Sequence, residues 1–328
     1  MDADRIDSRF AKVATRNAAR TAASDAGGEA TYLELEWLAD EVARLLRSRT
    51  GHGRLVALRA GRTRYAPAGV LGILRSGAAY MTVGAGRATG GQERLLQDFG
   101  VGLVVSDSGL LPDETPIART GPYTLASRRT HPAPRAHLPG DTAYVAPAPS
   151  PAGVVSHAQV LALLDAAVPL LGTGPEDVWT LLHGLGLGSG VWELWGPLLH
   201  GGRLIVVERE TAADALGFAR LLASREVTVL TRKPSAFGSL LAEAVAEKVR
   251  LPALRRVVLA GEPLIPADVR RWWASGIAPD AQLITTYGST GTAVRVTYCP
   301  RTPWVLADTA AGRTPIGAPA MAASTAGN

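Results

Sequence analysis

The chain has 328 residues, 47% of them hydrophobic and 19% charged, so it can bury a sizeable core as one large domain or as two lobes. Its net charge of +5 comes mainly from scattered arginines with few aromatic residues between them, which argues against nucleic acid as a partner. The single cysteine, Cys299, excludes an intrachain disulfide and a cysteine-based metal cluster. The first residues lack the basic and apolar stretches of a secretory signal, and the apolar runs are too short to span a membrane. We therefore expect a soluble, cytoplasmic protein that does not engage membranes.

Apolar runs typical of buried strands alternate with helical patterns from about residue 54 to residue 300. The predicted strands are, in chain order, 55–58, 80–83, 102–106, 143–146, 204–208, 227–230, 257–261 and 283–287. The predicted helices are 32–47, 66–75, 92–99, 158–171, 191–199, 212–224, 236–249 and 266–274. This alternation predicts an α/β fold with two layered lobes and mainly parallel sheets.

Composition suggests where the lobes divide. Residues 130–140 carry three prolines and are interpreted as a connector. We therefore predict one domain over residues 8–312, made of lobes at roughly 8–140 and 141–312. Residues 313–328 are small, polar and alanine-rich, and we expect a flexible tail.

Several short motifs occur in a distinctive order along the chain. They are TYLEL at 31–35, LRSGAAY at 74–80, VWELWG at 191–196 with LHGG at 199–202, and AGEPL at 260–264 with TYGST at 286–290. Each alone has a structural interpretation; Trp192 and Trp195, for example, fit a core stripe. In this order, the motifs resemble those of the adenylation domains of nonribosomal peptide synthetases, members of the adenylate-forming superfamily. The resemblance implies the fold of the N-terminal domain of adenylate-forming enzymes, but a fold does not transfer an activity.

The resemblance places a phosphate loop after the strand that reads AYV at 143–145. In the family, this loop is rich in Ser, Thr and Gly and ends in a lysine, because backbone N–H and hydroxyl groups must face the phosphates of ATP. Here residues 146–153 read APAPSPAG, with no lysine, and each proline lacks an N–H donor. We expect this degenerate loop not to hold phosphate; its key residues are Ala146, Pro147, Pro149, Ser150, Pro151 and Gly153.

Two charged groups that the resemblance implies are replaced by glycine. The carboxylate that would bind Mg²⁺ falls on Gly291, and the carboxylate that would pair with the substrate ammonium falls on Gly188. The remaining pocket residues implied by the resemblance are Ser189, Trp192 and Lys233, which we interpret as vestigial. The alternating glycines of residues 184–190 predict an unusually permissive backbone.

The adenine side of the site is better preserved. By resemblance, it comprises Gly261, Glu262, Tyr287, Gly288 and Thr290. The structural interpretation is open as well, with Tyr287 a partly buried aromatic and Glu262 a charge at a helix N-terminus. Beyond residues 314–317, the sequence does not match the ribose-binding acid, the hinge or the C-terminal subdomain with its catalytic lysine. We accordingly expect no catalytic residue and no MbtH-like helper protein.

Other chemistry has weaker support. Ser156 and His157 are adjacent, and adjacent side chains on a strand point to opposite faces, so they are a poor nucleophile–base pair. The six histidines lack the spacing of a zinc site. Arg232 and Lys233 follow a predicted strand near the expected pocket wall; they suit either anion recognition or surface exposure.

Two functions fit these observations. The first is a noncatalytic, adenylation-like domain in nonribosomal peptide biosynthesis that serves as a docking platform for synthetase domains or tailoring enzymes, with no cofactor and no metal. The alternative is an acyl-adenylating enzyme that joins ATP to an atypical carboxylic acid, uses ATP, AMP and Mg²⁺, and is completed by a partner chain. The replaced phosphate loop and metal ligand favour the first.

Overall fold

A computed structural model describes residues 4–84, 88–129, 138–146, 153–186, 188–287, 295–299 and 319–320. The helices are α1 (Ile6–Arg16), α2 (Tyr32–Arg47), α3 (Ala66–Arg75), α4 (Gly90–Asp98), α5 (His157–Leu171), α6 (Gly188–Leu198), α7 (Arg209–Ala213), α8 (Ala215–Ser224), α9 (Pro234–Ala246) and α10 (Pro266–Ser275). The strands are β1 (Thr21–Asp25), β2 (Gly28–Thr31), β3 (Leu55–Arg59), β4 (Ala79–Thr82), β5 (Leu103–Ser106), β6 (Glu114–Thr120), β7 (Tyr123–Arg128), β8 (Thr142–Ala146), β9 (Gly153–Ser156), β10 (Val178–Leu181), β11 (Arg203–Val206), β12 (Val229–Arg232), β13 (Arg256–Ala260), β14 (Gln282–Tyr287), β15 (Arg295–Cys299) and β16 (Pro319–Ala320).

The strands form two sheets. Sheet A has nine strands in the order β16-β15-β14-β13-β12-β10-β11-β1-β2, and the run from β14 to β1 is parallel. Sheet B has seven strands in the order β6-β7-β5-β3-β4-β8-β9, with a parallel centre formed by β5, β3, β4 and β8. Antiparallel pairs occur at the margins of both sheets. The predicted α/β class with mainly parallel sheets is confirmed.

The chain passes between the sheets more than once. β1 and β2 precede all of sheet B yet belong to sheet A, and β8 and β9 belong to sheet B although they follow residue 140. The two sheets therefore do not divide at residue 140. The predicted domain over residues 8–312 and the tail over 313–328 stay predictions.

One continuous cluster of buried side chains lies between the sheets. It includes Leu58 and Tyr80 from sheet B, Trp179 from sheet A and Trp195 from α6. The opposite faces of the sheets carry separate clusters, one under α8, α9 and α10 and one under α4. Helices thus cover both faces of each parallel region, as α/β architecture requires. Within the described part of the chain, no helix is long and apolar enough to cross a membrane.

The predicted helices and strands are all present, with two helices, 32–47 and 66–75, matching to the residue. The predicted helix 212–224 is wrong in one respect, because Asp214 adopts an extended conformation and separates α7 from α8. Several elements were not predicted from the sequence, among them α1, the β6–β7 hairpin and β10.

Candidate functional site

The carboxyl ends of β10, β12, β13 and β14 lie at one edge of sheet A, because these strands are parallel. In open α/β sheets, ligands bind at this edge. Gly188 follows β10, Lys233 follows β12, Gly261 and Glu262 follow β13, and Tyr287 ends β14. The fold therefore brings the predicted pocket and adenine-side residues to a common edge.

The glycine-rich segment at the start of α6 is closely packed. A Cβ on Gly190 would lie 2.0 Å from the Gly184 carbonyl oxygen, and one on Gly186 would lie 2.5 Å from Thr82 Oγ1. The Tyr80 hydroxyl of sheet B donates a hydrogen bond to the Leu185 carbonyl at 2.8 Å. Gly186 thus allows close contact with sheet B, and Gly190 allows close contact within the segment itself. The permissive backbone predicted for residues 184–190 stays a prediction.

Glu193 of α6 binds the backbone that leads into this segment. Its side chain is fully buried, and Oε2 accepts the backbone N–H groups of Leu182 and His183, each at 2.9 Å. Its Oε1 lies 2.8 Å from His183 Nδ1. A buried carboxylate is costly unless it is hydrogen-bonded, so these donors explain how α6 tolerates it. Glu193 was not predicted from the sequence, although a lone acid among apolar residues on a helix was a usable signal.

Arg62 links sheet B to the edge of sheet A. It follows β3, and its Nη1 and Nη2 donate to the carbonyls of Val207 at 2.9 Å and Leu182 at 2.6 Å. Burial, and then the nearby charge of Arg209, lowers the pKa of the Arg62 guanidinium. Arg62 thus joins the end of β3 to the carboxyl ends of β10 and β11, and the sequence gave no sign of it because its acceptors are distant backbone atoms.

The two cations after β12 have different environments. Arg232 Nη2 donates to the Ala212 carbonyl at 2.7 Å, and its guanidinium lies 4.6 Å from the centre of the Phe218 ring. Burial lowers the pKa of Arg232. Arg232 is therefore packed against its own lobe, whereas Lys233 is exposed at the N-cap of α9. Of the two, only Lys233 is placed to meet an anion.

Glu262 acts within the protein as a partner of α9. Its carboxylate accepts the Ser235 N–H at 3.1 Å, and hydrogen bonds from Ser235 lower the pKa of Glu262. Gly261 has φ +85°, a conformation that favours glycine. These contacts match the structural interpretation of Glu262 as a charge at a helix N-terminus.

The inner face of this edge holds buried polar atoms without partners among the described residues. They include Trp192 Nε1 and Thr231 Oγ1. The Trp192 ring lies 5.0 Å from the Trp179 ring, and Trp179 pairs with Val229, two residues before Thr231 on the same face of β12. Buried polar groups are normally satisfied, so these two atoms are candidate partners for a polar ligand or water.

The phosphate loop is flanked by regular structure. β8 and β9 pair antiparallel up to Ala146 and Gly153. Pro147, Pro149, Ser150 and Pro151 lie outside the described residues, so their predicted failure to bind phosphate stays a prediction. Gly288, Thr290 and Gly291 also lie outside the described residues, as does the side chain of Tyr287. Among the side chains that are described, no group of His, Cys, Asp and Glu could hold a metal ion.

Ser156 and His157 have structural roles. Ser156 caps α5, and its Oγ accepts the Gln159 N–H at 3.1 Å. His157 is the first residue of α5 rather than part of a strand, and its Nδ1 accepts the Ile6 N–H at 3.2 Å. Burial lowers the pKa of His157 to about 3. The two side chains are not a nucleophile and base.

Comparison with known proteins gives a matching family model and several relatives. The family model described as AMP-binding enzyme matches residues 10–143 and 150–325 and skips 144–149, where the proline-rich loop begins. Syringomycin synthase SyrB1 of Pseudomonas syringae pv. syringae is 32% identical over 85% of this chain and 47% of its own length. A dimodular nonribosomal peptide synthase of Bacillus subtilis is 30% identical over 82% of this chain and 12% of its own. The chain thus spans less than half the length of either relative.

The fold is also similar to solved synthetase structures. Nonribosomal peptide synthetase FmoA3, in a form bound to alpha-methyl-L-serine-AMP, superposes with a TM-score of 0.79 at 26% identity. The similarity covers 97% of this chain and 36% of that one.

Proposed function

This chain belongs to the family of AMP-binding enzymes, and from that premise we propose that it is a noncatalytic adenylation-like domain of nonribosomal peptide biosynthesis. Its role is to dock neighbouring synthetase domains or tailoring enzymes. It needs neither ATP nor Mg²⁺ for that role.

The observation that carries the proposal is the phosphate loop. The strands on either side, β8 and β9, are intact and paired, yet the six residues between Ala146 and Gly153 include three prolines and no lysine. The family match also breaks at this place, over residues 144–149. The scaffold for the loop is therefore retained while the groups that would face phosphate are replaced.

The loss is large in energetic terms. Phosphoryl chemistry depends on positioned donors and a metal ion that neutralise developing charge. Removing one such donor typically costs about 10²–10³ in rate. Here a lysine, several N–H donors and the metal carboxylate expected at Gly291 are absent together. Losses of that combined size leave adenylate formation negligible.

A docking role is supported by an exposed apolar pair on α2. Leu33 and Trp37 are each 59% exposed and stand four residues apart, so they are neighbours on one face of the helix. Large apolar side chains exposed together are typical of interaction surfaces. The occupant we propose is a neighbouring synthetase domain, since the relatives are synthetases of which this chain spans only a part.

A second function is favoured by one observation. The unpartnered Trp192 Nε1 and Thr231 Oγ1 lie on the inner face of the candidate site, where they could meet a polar substrate. They support the alternative of an acyl-adenylating enzyme with an atypical acid, one that lacks the ammonium group for which Gly188 offers no partner. That enzyme would use ATP and Mg²⁺ and would need a partner chain.

Pyrophosphate exchange separates the two functions. The purified chain is incubated with MgATP, labelled pyrophosphate and a panel of amino, hydroxy and aryl acids, alone and with separately expressed C-terminal subdomains of synthetases. We expect exchange no faster than in the acid-free control. Acid-dependent exchange in any mixture would establish the alternative and overturn the noncatalytic assignment.

A further inference from the structure

Sheet B carries a cavity whose lining includes none of the candidate-site residues discussed above. It has a volume of about 400 Å³ and lies on the outer face of the sheet, between α4 and the β6–β7 hairpin. Its base is apolar and is formed by Ala57, Val83, Leu96 and Val104. That volume falls within the range of small-molecule sites, which are mostly apolar with a few placed polar groups.

The topology of sheet B explains why a cavity forms there. β3 stands between β4 and β5 in a parallel group. The chain leaves β3 through α3 to β4 on one side, then crosses through α4 to β5 on the other. α3 packs in the cluster between the sheets, whereas Leu96 of α4 packs on the opposite face. Connections that diverge in this way leave the outer face open beside β3, and Arg59 and Val83 place part of the cavity at the carboxyl ends of β3 and β4, where α/β proteins bind ligands.

A rigid ion pair forms one wall of the cavity. Arg59, the last residue of β3, donates through Nη1 and Nη2 to the two carboxylate oxygens of Glu114 at 2.6 Å and 2.7 Å. The two side chains are 4% and 3% exposed. Glu114 also accepts the Leu111 N–H at 2.9 Å. Bidentate pairs of this kind hold their geometry, so this wall is fixed and its charges are already balanced.

Two other charged groups on the wall are not saturated. Arg128 is 9% exposed and donates only through Nη2, to both oxygens of Glu93 at 2.8 Å and 3.0 Å. Its Nη1 and Nε have no acceptor among the described residues. Asp113 is exposed and likewise has no hydrogen-bond donor in the described part of the chain. It precedes Glu114, whose backbone lies opposite that of Arg128 in the β6–β7 hairpin. An arginine with open N–H donors, its charge paired with Glu93, and an exposed carboxylate thus line the same cavity above an apolar base.

We infer that this cavity binds a small zwitterion with a compact apolar group, that is, a free α-amino acid. Arg128 receives the ligand carboxylate through its open N–H donors, and Asp113 receives the ammonium. The side chain rests on Ala57, Val83 and Val104. This site is separate from the edge of sheet A and does not depend on the proposed function.

Calorimetric titration with amino acids tests the inference. The probes are L-valine, L-leucine, L-methionine and L-phenylalanine, together with isocaproate and isoamylamine, which are leucine without its ammonium and without its carboxylate. We expect at least one amino acid to bind at millimolar concentration or below. The two truncated analogues should bind at least about tenfold more weakly, because each loses one charge-assisted hydrogen bond.

Matched variants locate the site. Asp113→Asn and Arg128→Gln should each weaken binding about tenfold, whereas Asp98→Asn and Arg119→Gln, at exposed positions that do not line the cavity, should leave it unchanged. Because Asp113 is exposed, its substitution leaves the fold intact even if Arg128→Gln does not. The inference is overturned if no amino acid binds, if the analogues bind as well as leucine, or if Asp113→Asn binds normally. Binding that falls instead in Thr231→Val would place the ligand at sheet A and equally overturn it.

Discussion

Replacing Glu193 by glutamine tests the buried carboxylate that organises the segment after β10. The fully buried Oε2 accepts the N–H groups of Leu182 and His183, each at 2.9 Å. Glutamine keeps one oxygen for these donors but puts an NH₂ group where Oε1 lies 2.8 Å from His183 Nδ1. Two charge-assisted hydrogen bonds become neutral, and the third must reverse, with the NH₂ group donating to an unprotonated His183 Nδ1, while the neutral amide is cheaper to bury. We expect the free energy of unfolding to fall by about 2–3 kcal/mol.

Urea unfolding followed by tryptophan fluorescence measures this change, since Trp192 and Trp195 flank the substituted residue. The midpoint multiplied by the denaturant slope gives the free energy, provided that the slope is unchanged. Glu243→Gln is the matched control, because Glu243 is exposed on α9 and its substitution should change stability by less than about 0.5 kcal/mol. If Glu193→Gln and Glu243→Gln unfold at the same urea concentration, the buried carboxylate does not hold the segment and the reasoning fails.

Three further predictions concern packing, protonation and docking. Gly190→Ala should lower the unfolding free energy by about 1–3 kcal/mol, because its Cβ would lie 2.0 Å from a carbonyl oxygen. Gly174 has open space around it, so Gly174→Ala should leave stability unchanged, and equal melting temperatures of the two variants would contradict the prediction. Burial lowers the folded-state pKa of His157 to about 3 from 6.5, so the unfolded state binds more protons between these values and stability should fall as pH drops through that window. His157→Asn keeps an acceptor for the Ile6 N–H and should show a shallower decline; a decline equal to that of the unsubstituted chain would refute the assignment. Substituting Leu33 and Trp37 by alanine should abolish capture of a synthetase domain encoded beside this chain without lowering the melting temperature; undiminished capture would exclude α2 as the docking face.

Much of the fold was predictable because its signals are local. α2 begins at a capping box in which the Thr31 side chain accepts the Glu34 N–H and Glu34 accepts the Thr31 N–H. Its buried side chains then recur at helical spacing, which fixes its extent. β6 gave no comparable signal. It is a mostly exposed margin strand with a register shift after Pro116, so neither apolar alternation nor continuous hydrophobicity was there to find.

The candidate site was predictable only where motifs carried it. Gly188, Glu262 and Tyr287 were placed by resemblance, and the parallel strands of sheet A bring them to one edge. Arg62 was not, because its acceptors are backbone carbonyls up to 145 residues away, and no pattern in sequence encodes that distance. The packing role of Gly190 was hidden for another reason, since it depends on how the backbone folds back so that the Gly184 carbonyl of the same segment approaches it.

The noncatalytic assignment is tested most directly by calorimetric titration of the purified chain with ATP, with and without Mg²⁺. A proline-rich phosphate loop without a lysine, together with glycine at the metal-ligand position, predicts no detectable heat of binding at millimolar nucleotide and no effect of Mg²⁺. Binding that tightens when Mg²⁺ is added would show that the chain retains a working phosphate and metal site, and would contradict the assignment.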